Sequence, residues 1–546
     1  MNQHQHADDE KGALNILQGF GKYQILQYLL ICIPTMVVAM NNVNYVFVAG
    51  DIEYRCRIPE CESVDDNFLP SWWPDTNDRC SRLDLNYTYL QRNQCDNNSF
   101  LSTATECTEW IYGSNDTIVA WLDLACKPWK TNFVGTIHMI GWVVGMVIGG
   151  WASDTFGRKP TCIVASVGIV IGALKTFIKS YYCYISLELI ESIVSGISFS
   201  AGMVLMFEIS SIDKRVLSGA VFAYAIYLGE ALLAVVAMLV IYWKWILYIS
   251  CTPSIFFIFY TLVLQESPRW LVLKKKFDKA RNILKMISKS NKLNVNAECI
   301  NNLNEGQLRQ ICNVEINTKV EGYKEAFKSK EIIKRLIVAT TARFTVTFIY
   351  FGLVASSVWL PGNKYTNYIL TTLMSFPGDL LTLYFLNKFG RRMSLCCGFL
   401  ICGLACVMSV YVSASYLWLR ITLYLVAKLI VAACYTGVWT YTMELFPTSV
   451  RGSMFGLVTL MASAGCILAP LTPAMDTISP VFSSVLYGVS STISAVLILF
   501  SPETKGLPLA GTIEEVIIAT KINKNKRRKE GVENRGFDES KNVTSI

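Results

Sequence analysis

The chain has 546 residues, 52% of them hydrophobic and only 16% charged, with a formal net charge of +8 and a mean hydropathy of +0.37. A soluble protein of this size carries nearer a quarter of its residues as charges, and no globular core needs so many long apolar runs with so little polar helix between them, so a soluble fold is excluded. Nothing resembles a nucleic-acid domain, no Gly-rich phosphate loop points to ATP-driven pumping, and no nucleophile–base or ligand spacing indicates a catalytic residue, a metal or a cofactor.

Twelve apolar runs follow one another near 23–48, 132–152, 161–179, 184–209, 217–241, 245–264, 336–360, 366–386, 393–413, 416–442, 453–475 and 481–500. Each is long enough to cross a hydrocarbon layer of ~30 Å. The fold class they predict is an all-α membrane protein. The first 22 residues are polar, so no cleavable signal is expected and the first span serves as the anchor. Basic residues set the orientation. The loops after spans 2, 4, 8 and 10 hold Arg158 and Lys159, Lys214 and Arg215, Lys388, Arg391 and Arg392, and Arg451, whereas the alternate loops hold only Lys179, Lys244 and Lys364. The positive-inside rule therefore places both termini and the 265–335 segment in the cytoplasm. The basic tail run Lys524, Lys526, Arg527, Arg528 and Lys529 reads as solvated.

The same orientation puts the 49–131 loop outside. It holds Cys56, Cys61, Cys80, Cys95, Cys107 and Cys126, an even number in an oxidising compartment, which reads as up to three disulfides with fifteen possible pairings. It also holds glycosylation sequons at Asn86, Asn97 and Asn115. Asn542 fits the pattern too, but lies on the cytoplasmic tail and is expected to stay bare. The remaining cysteines read as small buried hydrophobes. In the 265–335 segment Leu271, Leu273, Phe277, Ala280, Ile283, Leu284 and Ile287 recur at approximately helical spacing. That predicts an amphipathic helix along the membrane face.

A repeat divides the chain. "DTFGRK" at 154–159 has a counterpart in "NKFGRR" at 387–392, "EISSIDKR" at 208–215 in "ELFPTSVR" at 444–451, and "SPRW" at 267–270 in "SPETK" at 501–505. Three pairs in the same order, offset by 233, 236 and 234 positions, predict two six-span halves of parallel topology, 23–264 and 336–500, with a substrate site near the midplane between them. Asp154, Gly157, Arg158, Lys159, Glu208, Arg215, Asn387, Arg391, Arg392, Glu444 and Arg451 then form a duplicated cytoplasmic gate. Its charges are expected to pair across the seam and with helix termini, holding that side shut in one state and parting in the other. The plainer reading is that these are ordinary positive-inside residues; the duplication favours the gate.

The motif set also carries a family resemblance. "GGWASDTFGRK" (149–159) resembles the loop 2–3 signature of the major facilitator superfamily. "ESPRWLVLKKKFDKARNIL" (266–284), "YFGL" (350–353), "YTMELFPTSVRG" (441–452), "SPETKGLPL" (501–509) and the six-cysteine loop resemble the organic cation, anion and zwitterion solute carriers within it. The "LGEALL" pattern at 228–233 and the long loop are similar to arthropod members. The resemblance implies a plasma-membrane transporter working by alternating access on small organic cations or zwitterions such as carnitine-like compounds or amine conjugates. The drive would be a gradient or the membrane potential, with Na+ or H+ as candidate coupling ions. An organic anion exchanger and a non-transporting receptor are the rivals.

Ionisable groups inside spans are candidates because a charge at the bilayer centre costs roughly 2.5–3.5 kcal/mol on insertion scales. Glu230 in span 5 and Lys428 in span 10 lie at mid-depth, roughly 20 Å along their helices at about 1.5 Å per residue. Either they are structural ions, or they face the cavity and take opposite ends of a zwitterion. Glu188 and Glu191 sit one turn apart in span 4, Arg343 in span 7 and Asp379 in span 8. The resemblance adds Tyr350 as a pocket aromatic that could stack on an ammonium. It also marks two departures: cation carriers have an acid before the Pro of span 8, where this chain has Ser375. They have a second acid midway along span 11, the position of an Arg in anion and carnitine types, and here it is Ser463.

Overall fold

The computed structural model describes residues 16–17, 19–62, 68–70, 72–73, 79–85, 95, 99–210, 214–293, 295, 297–312, 323–447, 450–476, 479, 481–505 and 513–518. Among them, twelve helices are long and apolar enough to cross a membrane: Lys22–Val48, Pro128–Phe156, Arg158–Phe177, Tyr181–Ile209, Leu217–Leu239, Trp243–Val263, Lys330–Trp359, Lys364–Phe389, Arg391–Tyr411, Leu417–Leu445, Ser453–Asp476 and Phe482–Leu499. These are spans 1 to 12 below. Each coincides with one apolar run of the sequence. The largest difference is at span 7, where the helix starts at Lys330 rather than 336. Lys330, Glu331, Lys334 and Arg335 depress the hydropathy there without interrupting the helix. Long apolar side chains such as Leu29, Val147, Trp151 and Leu262 remain exposed on the helix surfaces, the arrangement expected where hydrocarbon rather than water is the solvent.

Two spans change their winding partway. Span 3 runs as an α-helix over Arg158–Gly168 and as a 3-10 helix over Ile169–Phe177. Span 6 is α-helical over Trp243–Cys251 and 3-10 over Thr252–Phe259, whose second residue is Pro253, a ring that cannot continue the helical hydrogen-bond ladder. Spans 2 and 4 approach almost backbone to backbone: a Cβ added at Gly145 would lie 2.2 Å from the Ile193 carbonyl oxygen.

The chain divides into two compact units. One comprises residues 1–314 with 362–372, and the other 315–361 with 373–546. The first carries spans 1 to 6, and most of spans 7 to 12 lie in the second. The helical architecture is joined by a small β component that the run pattern did not predict. In the loop after span 1, β1 (Tyr54–Cys56) pairs antiparallel with β4 (Trp110–Tyr112), and β2 (Ser81–Leu85) with β3 (Phe100–Glu106). The six loop cysteines pair as Cys56–Cys107, Cys61–Cys95 and Cys80–Cys126, with Cα atoms 5.5–5.7 Å apart. Arg55 anchors the interior of this small domain, ion-paired to Glu62 at 2.5 Å and lying over Trp73 at 4.9 Å. So little apolar core would be marginal alone, and cross-links are the usual remedy. Asn115 is exposed on this loop; Asn86, Asn97 and Asn542 lie outside the described residues.

In the 265–335 segment the expected single amphipathic helix is two: Leu271 and Leu273 belong to a short helix, Pro268–Leu273, and the remaining five positions to Phe277–Ser290, the chain turning between them at Lys275, whose φ is 57°. The apolar face of this second helix packs on protein. Ala280, Ile283, Leu284 and Ile287 are buried in one cluster with Tyr23, Ile31, Leu205 and Ile209 of spans 1 and 4. Asn291 ties its end to span 1, accepting from the Tyr23 backbone N–H at 3.0 Å and donating to Gln24 at 2.9 Å.

Candidate functional site

The charged turns form one device built twice. In the first unit, span 2 stops at Gly157, whose φ of 117° is a backbone conformation that side chains disfavour. Span 3 starts at the next residue. Arg158 is buried and grips Glu208 bidentately, Nε and Nη2 each 3.0 Å from a carboxylate oxygen, while Nη1 donates to the Ser153 carbonyl at 2.9 Å. Asp154 adds a 2.8 Å contact from a largely exposed position. Glu266 caps the new helix, accepting from the backbone N–H groups of Arg158 at 3.1 Å and Lys159 at 3.2 Å. A carboxylate belongs there, because helix N-termini carry open donors and a partial positive charge.

The second unit repeats the arrangement. Gly390 has φ 91°. Arg391 grips Glu444 through Nε at 3.0 Å and Nη2 at 2.9 Å, and Nη1 donates to the Leu386 carbonyl at 3.3 Å. Glu503 accepts from the backbone N–H of Arg391 at 2.9 Å and Arg392 at 3.0 Å. A Cβ at either glycine would strike the capping carboxylate, at 2.5 Å from Glu266 and 2.8 Å from Glu503, so glycine is required twice over. All these contacts are made within one unit. Asn387 stands where Asp154 does in the first unit, so the second turn lacks the i,i+4 ion pair. The side chains of Arg215 and Arg451 lie outside the described residues.

Glu266 and Glu503 were not among the gate residues picked from the sequence. They lie in the quoted motifs, but Glu266 precedes its Ser-Pro and Glu503 follows its own, so aligning the repeats on Ser-Pro hides the match. Their electrostatics differ. Burial pushes the Glu266 carboxyl above its usual range, against the backbone N–H groups of Ser267, Lys159 and Arg158. At Glu503 burial acts in the same direction. There the backbone donors of Arg391, Lys505, Arg392 and Thr504 outweigh it and hold the carboxyl below that range.

Of the substrate candidates, Lys428, Tyr350 and Ser375 come together in the second unit. The Lys428 ammonium sits 3.1 Å from the Tyr350 ring centroid and 3.5 Å from its carbonyl oxygen. The Tyr350 hydroxyl is 3.2 Å from Ser375 Oγ. Ser463 turns its hydroxyl back to Thr459 O of its own helix at 3.0 Å. In the first unit Glu230 is 2% exposed. Gly229 beside it presses span 5 onto span 1, where an added Cβ would lie 2.4 Å from the Met36 carbonyl oxygen.

A buried ionic cluster in the first unit was only half visible in the sequence. Lys175 lies 2.6 Å from Glu188 and 3.3 Å from Glu191. His138 Nδ1 is 2.7 Å from the other Glu188 oxygen, Ser195 donates to Glu191 at 3.1 Å, and none of the four ionisable groups is more than 1% exposed. His138, Glu188 and Glu191 offer metal-type donor atoms within 4.8 Å of one another, but the Lys175 ammonium already contacts both carboxylates. The available signal was a lysine deep in span 3 followed by two glutamates one turn apart in span 4. A cavity of about 350 Å³ at the far end of span 1 is lined by Phe47, Asp51, Glu53, Asp116, Lys364 and Tyr365 among others; none of these was a candidate.

Two units of membrane-spanning helices, each with the same arginine–carboxylate turn, define a transporter of the major facilitator class. The chain belongs to the sugar (and other) transporter family of that superfamily, whose family model matches residues 85–515. It is 26% identical over 508 residues to a Drosophila melanogaster organic cation transporter protein, covering 91% of this chain and 92% of that one. It is 27% identical over 528 residues to Xenopus laevis solute carrier family 22 member 6-B, covering 92% and 94%. Its fold is similar to that of the Escherichia coli xylose transporter XylE in a partially occluded inward-open form. The TM-score is 0.59 at 16% identity, covering 89% of this chain and 100% of that one.

Proposed function

We propose that this membrane transporter carries small organic cations or zwitterions across the plasma membrane by alternating access, with both termini and both charged turns on the cytoplasmic side. Carnitine-like compounds and amine conjugates are the substrate types in view. The observation that carries this reading is Glu230, a carboxylate 2% exposed partway along a membrane-length helix. An ionisable side chain inside a span is a functional candidate by default, and a carboxylate is the group that would take the cationic end of a substrate. The names of two Drosophila melanogaster relatives, an organic cation transporter protein and an organic cation transporter-like protein, support the cationic substrate class. A substrate gradient, a Na+ or H+ gradient or the membrane potential supplies the drive. The rival reading, an organic anion exchanger, draws on the buried cations Lys428 and Arg343.

The test is radiotracer uptake in oocytes of tetraethylammonium, a trimethylammonium carboxylate and a simple organic anion. In the Glu230→Gln variant, cation and zwitterion uptake is expected to fall tenfold or more at matched surface level, with anion uptake spared. Equal uptake of all three by wild type and variant would make Glu230 a structural ion. Binding without flux of any class would favour the receptor reading.

A further inference from the structure

Arg343 is the fourteenth residue of the Lys330–Ser356 helix, about 20 Å along it at about 1.5 Å per residue and therefore near mid-span. It is 2% exposed. Its guanidinium lies over two rings of span 10, with Cζ 5.1 Å from the Tyr435 centroid and 4.6 Å from that of Trp439, and it is hydrogen-bonded to the Tyr435 side chain. Aromatic faces orient a cation but do not neutralise it. Among the described residues no carboxylate pairs with it; the arginine ion pairs of the second unit are Arg335 with Glu331 and Arg391 with Glu444. Two of its three nitrogens, Nε and Nη1, are buried without a hydrogen-bond partner.

An arginine does not shed its proton to escape this situation, as a lysine can. A buried, permanent charge with open donors and fixed orientation is a binding site for an anion. Lys428, expected from the sequence to take a substrate carboxylate, is differently placed, because its ammonium rests on the Tyr350 ring and faces the Tyr350 carbonyl. We propose that Arg343 is the anion-recognition residue of this transporter, taking the carboxylate, or an equivalent oxyanion, of a substrate whose other end is an ammonium. The inference rests on the transport reading above and narrows it from cations in general to zwitterions. The same donors would also accept a free inorganic anion such as chloride, so the two sources must be separated experimentally.

The experiment compares uptake of tetraethylammonium with that of carnitine, a trimethylammonium carboxylate, in chloride and in gluconate medium, at matched surface level. In Arg343→Gln, carnitine uptake is expected to fall tenfold or more and tetraethylammonium uptake to change less than twofold, with Arg343→Lys intermediate. If chloride is the occupant, wild-type tetraethylammonium uptake depends on chloride and the Gln variant loses that dependence; this supports the anion site and assigns it to the free ion. Unchanged uptake of both probes, or an equal fall in both without a chloride effect, overturns the proposal and leaves the guanidinium as ring packing. A binding assay covers a Gln variant that fails to reach the surface or a wild type that moves neither probe. The purified wild-type chain is heated with carnitine, with choline, which lacks the carboxylate, or with sodium chloride against sodium gluconate. Stabilisation by carnitine over choline, or by chloride over gluconate, supports the site even if the transport reading fails, and the absence of both differences overturns it.

Discussion

Replacing Lys175 by methionine tests what the buried cluster contributes. The substitution keeps most of the side-chain length and removes the ammonium, leaving Glu188 and Glu191 buried without the cation they share at 2.6 and 3.3 Å. Coulomb attractions at these distances are about 6 and about 5 kcal/mol at an effective dielectric constant near 20. They are gross terms, largely offset by the desolvation of three ions, and removing one partner of a buried pair costs roughly 3–5 kcal/mol. A second bound can be worked. The variant can relieve itself by drawing a proton onto one carboxyl. For a glutamate of ordinary acidity at pH 7 this costs about 2.7 units at about 1.36 kcal/mol each, or about 3.7 kcal/mol. The expected destabilisation is therefore about 4 kcal/mol at pH 7. Neutralising the whole cluster in Lys175→Met/Glu188→Gln/Glu191→Gln should recover most of the loss, since neutral replacements of buried ion groups are often tolerated. Thermal unfolding of purified protein in detergent at pH 7, followed by tryptophan fluorescence, compares wild type with the single and the triple variant. A Lys175→Met protein as stable as wild type would refute the reasoning. So would a triple variant as unstable as the single one, because the lysine stem's packing would then be what matters.

Arg158→Ala and Arg391→Ala each remove a bidentate carboxylate pair beside a helix start, and each is expected to cut transport tenfold or more with surface expression largely intact. Asp154→Asn, at an exposed carboxylate, should cost much less; wild-type transport by both arginine variants would reduce these residues to topology charges. The two capping carboxylates should respond oppositely to pH. Glu503 is held below its ordinary range, so its contribution is present above that range and is lost as pH falls through the lowered folded value, and Glu503→Gln destabilises at pH 7. Glu266 is pushed up, so its ionisation opposes folding at neutral pH until acidification passes its raised value, and Glu266→Gln costs less. Thermal stability of the two variants between pH 4 and 8 checks the order, and an equal loss in both would contradict it.

The spans were legible because each is a local property. Twenty apolar residues declare themselves without reference to any neighbour, and only the charged start at Lys330 blurred a boundary. Pairings were less legible, because a contact between elements depends on helix rotation that one sequence does not encode. Glu188 and Glu191 stand out in the sequence as a pair one turn apart, whereas Lys175 and His138 are each a lone polar residue in an apolar run until the fold brings the four together. Lys428 and Tyr350 each declare themselves in the sequence, but their mutual contact depends on how spans 7 and 10 are turned. The capping glutamates show a further limit. What the turn requires is a carboxylate at the start of a helix that follows a left-handed glycine, and the chain meets that requirement from either side of a Ser-Pro step. At Glu266 the carboxylate comes before the step and at Glu503 after it, both reaching two successive backbone N–H groups. The repeat therefore preserves a geometry more strictly than a sequence order. The gate's full membership, Arg158 with Glu208 and Glu266, and Arg391 with Glu444 and Glu503, emerges only when each half is read as a set of contacts.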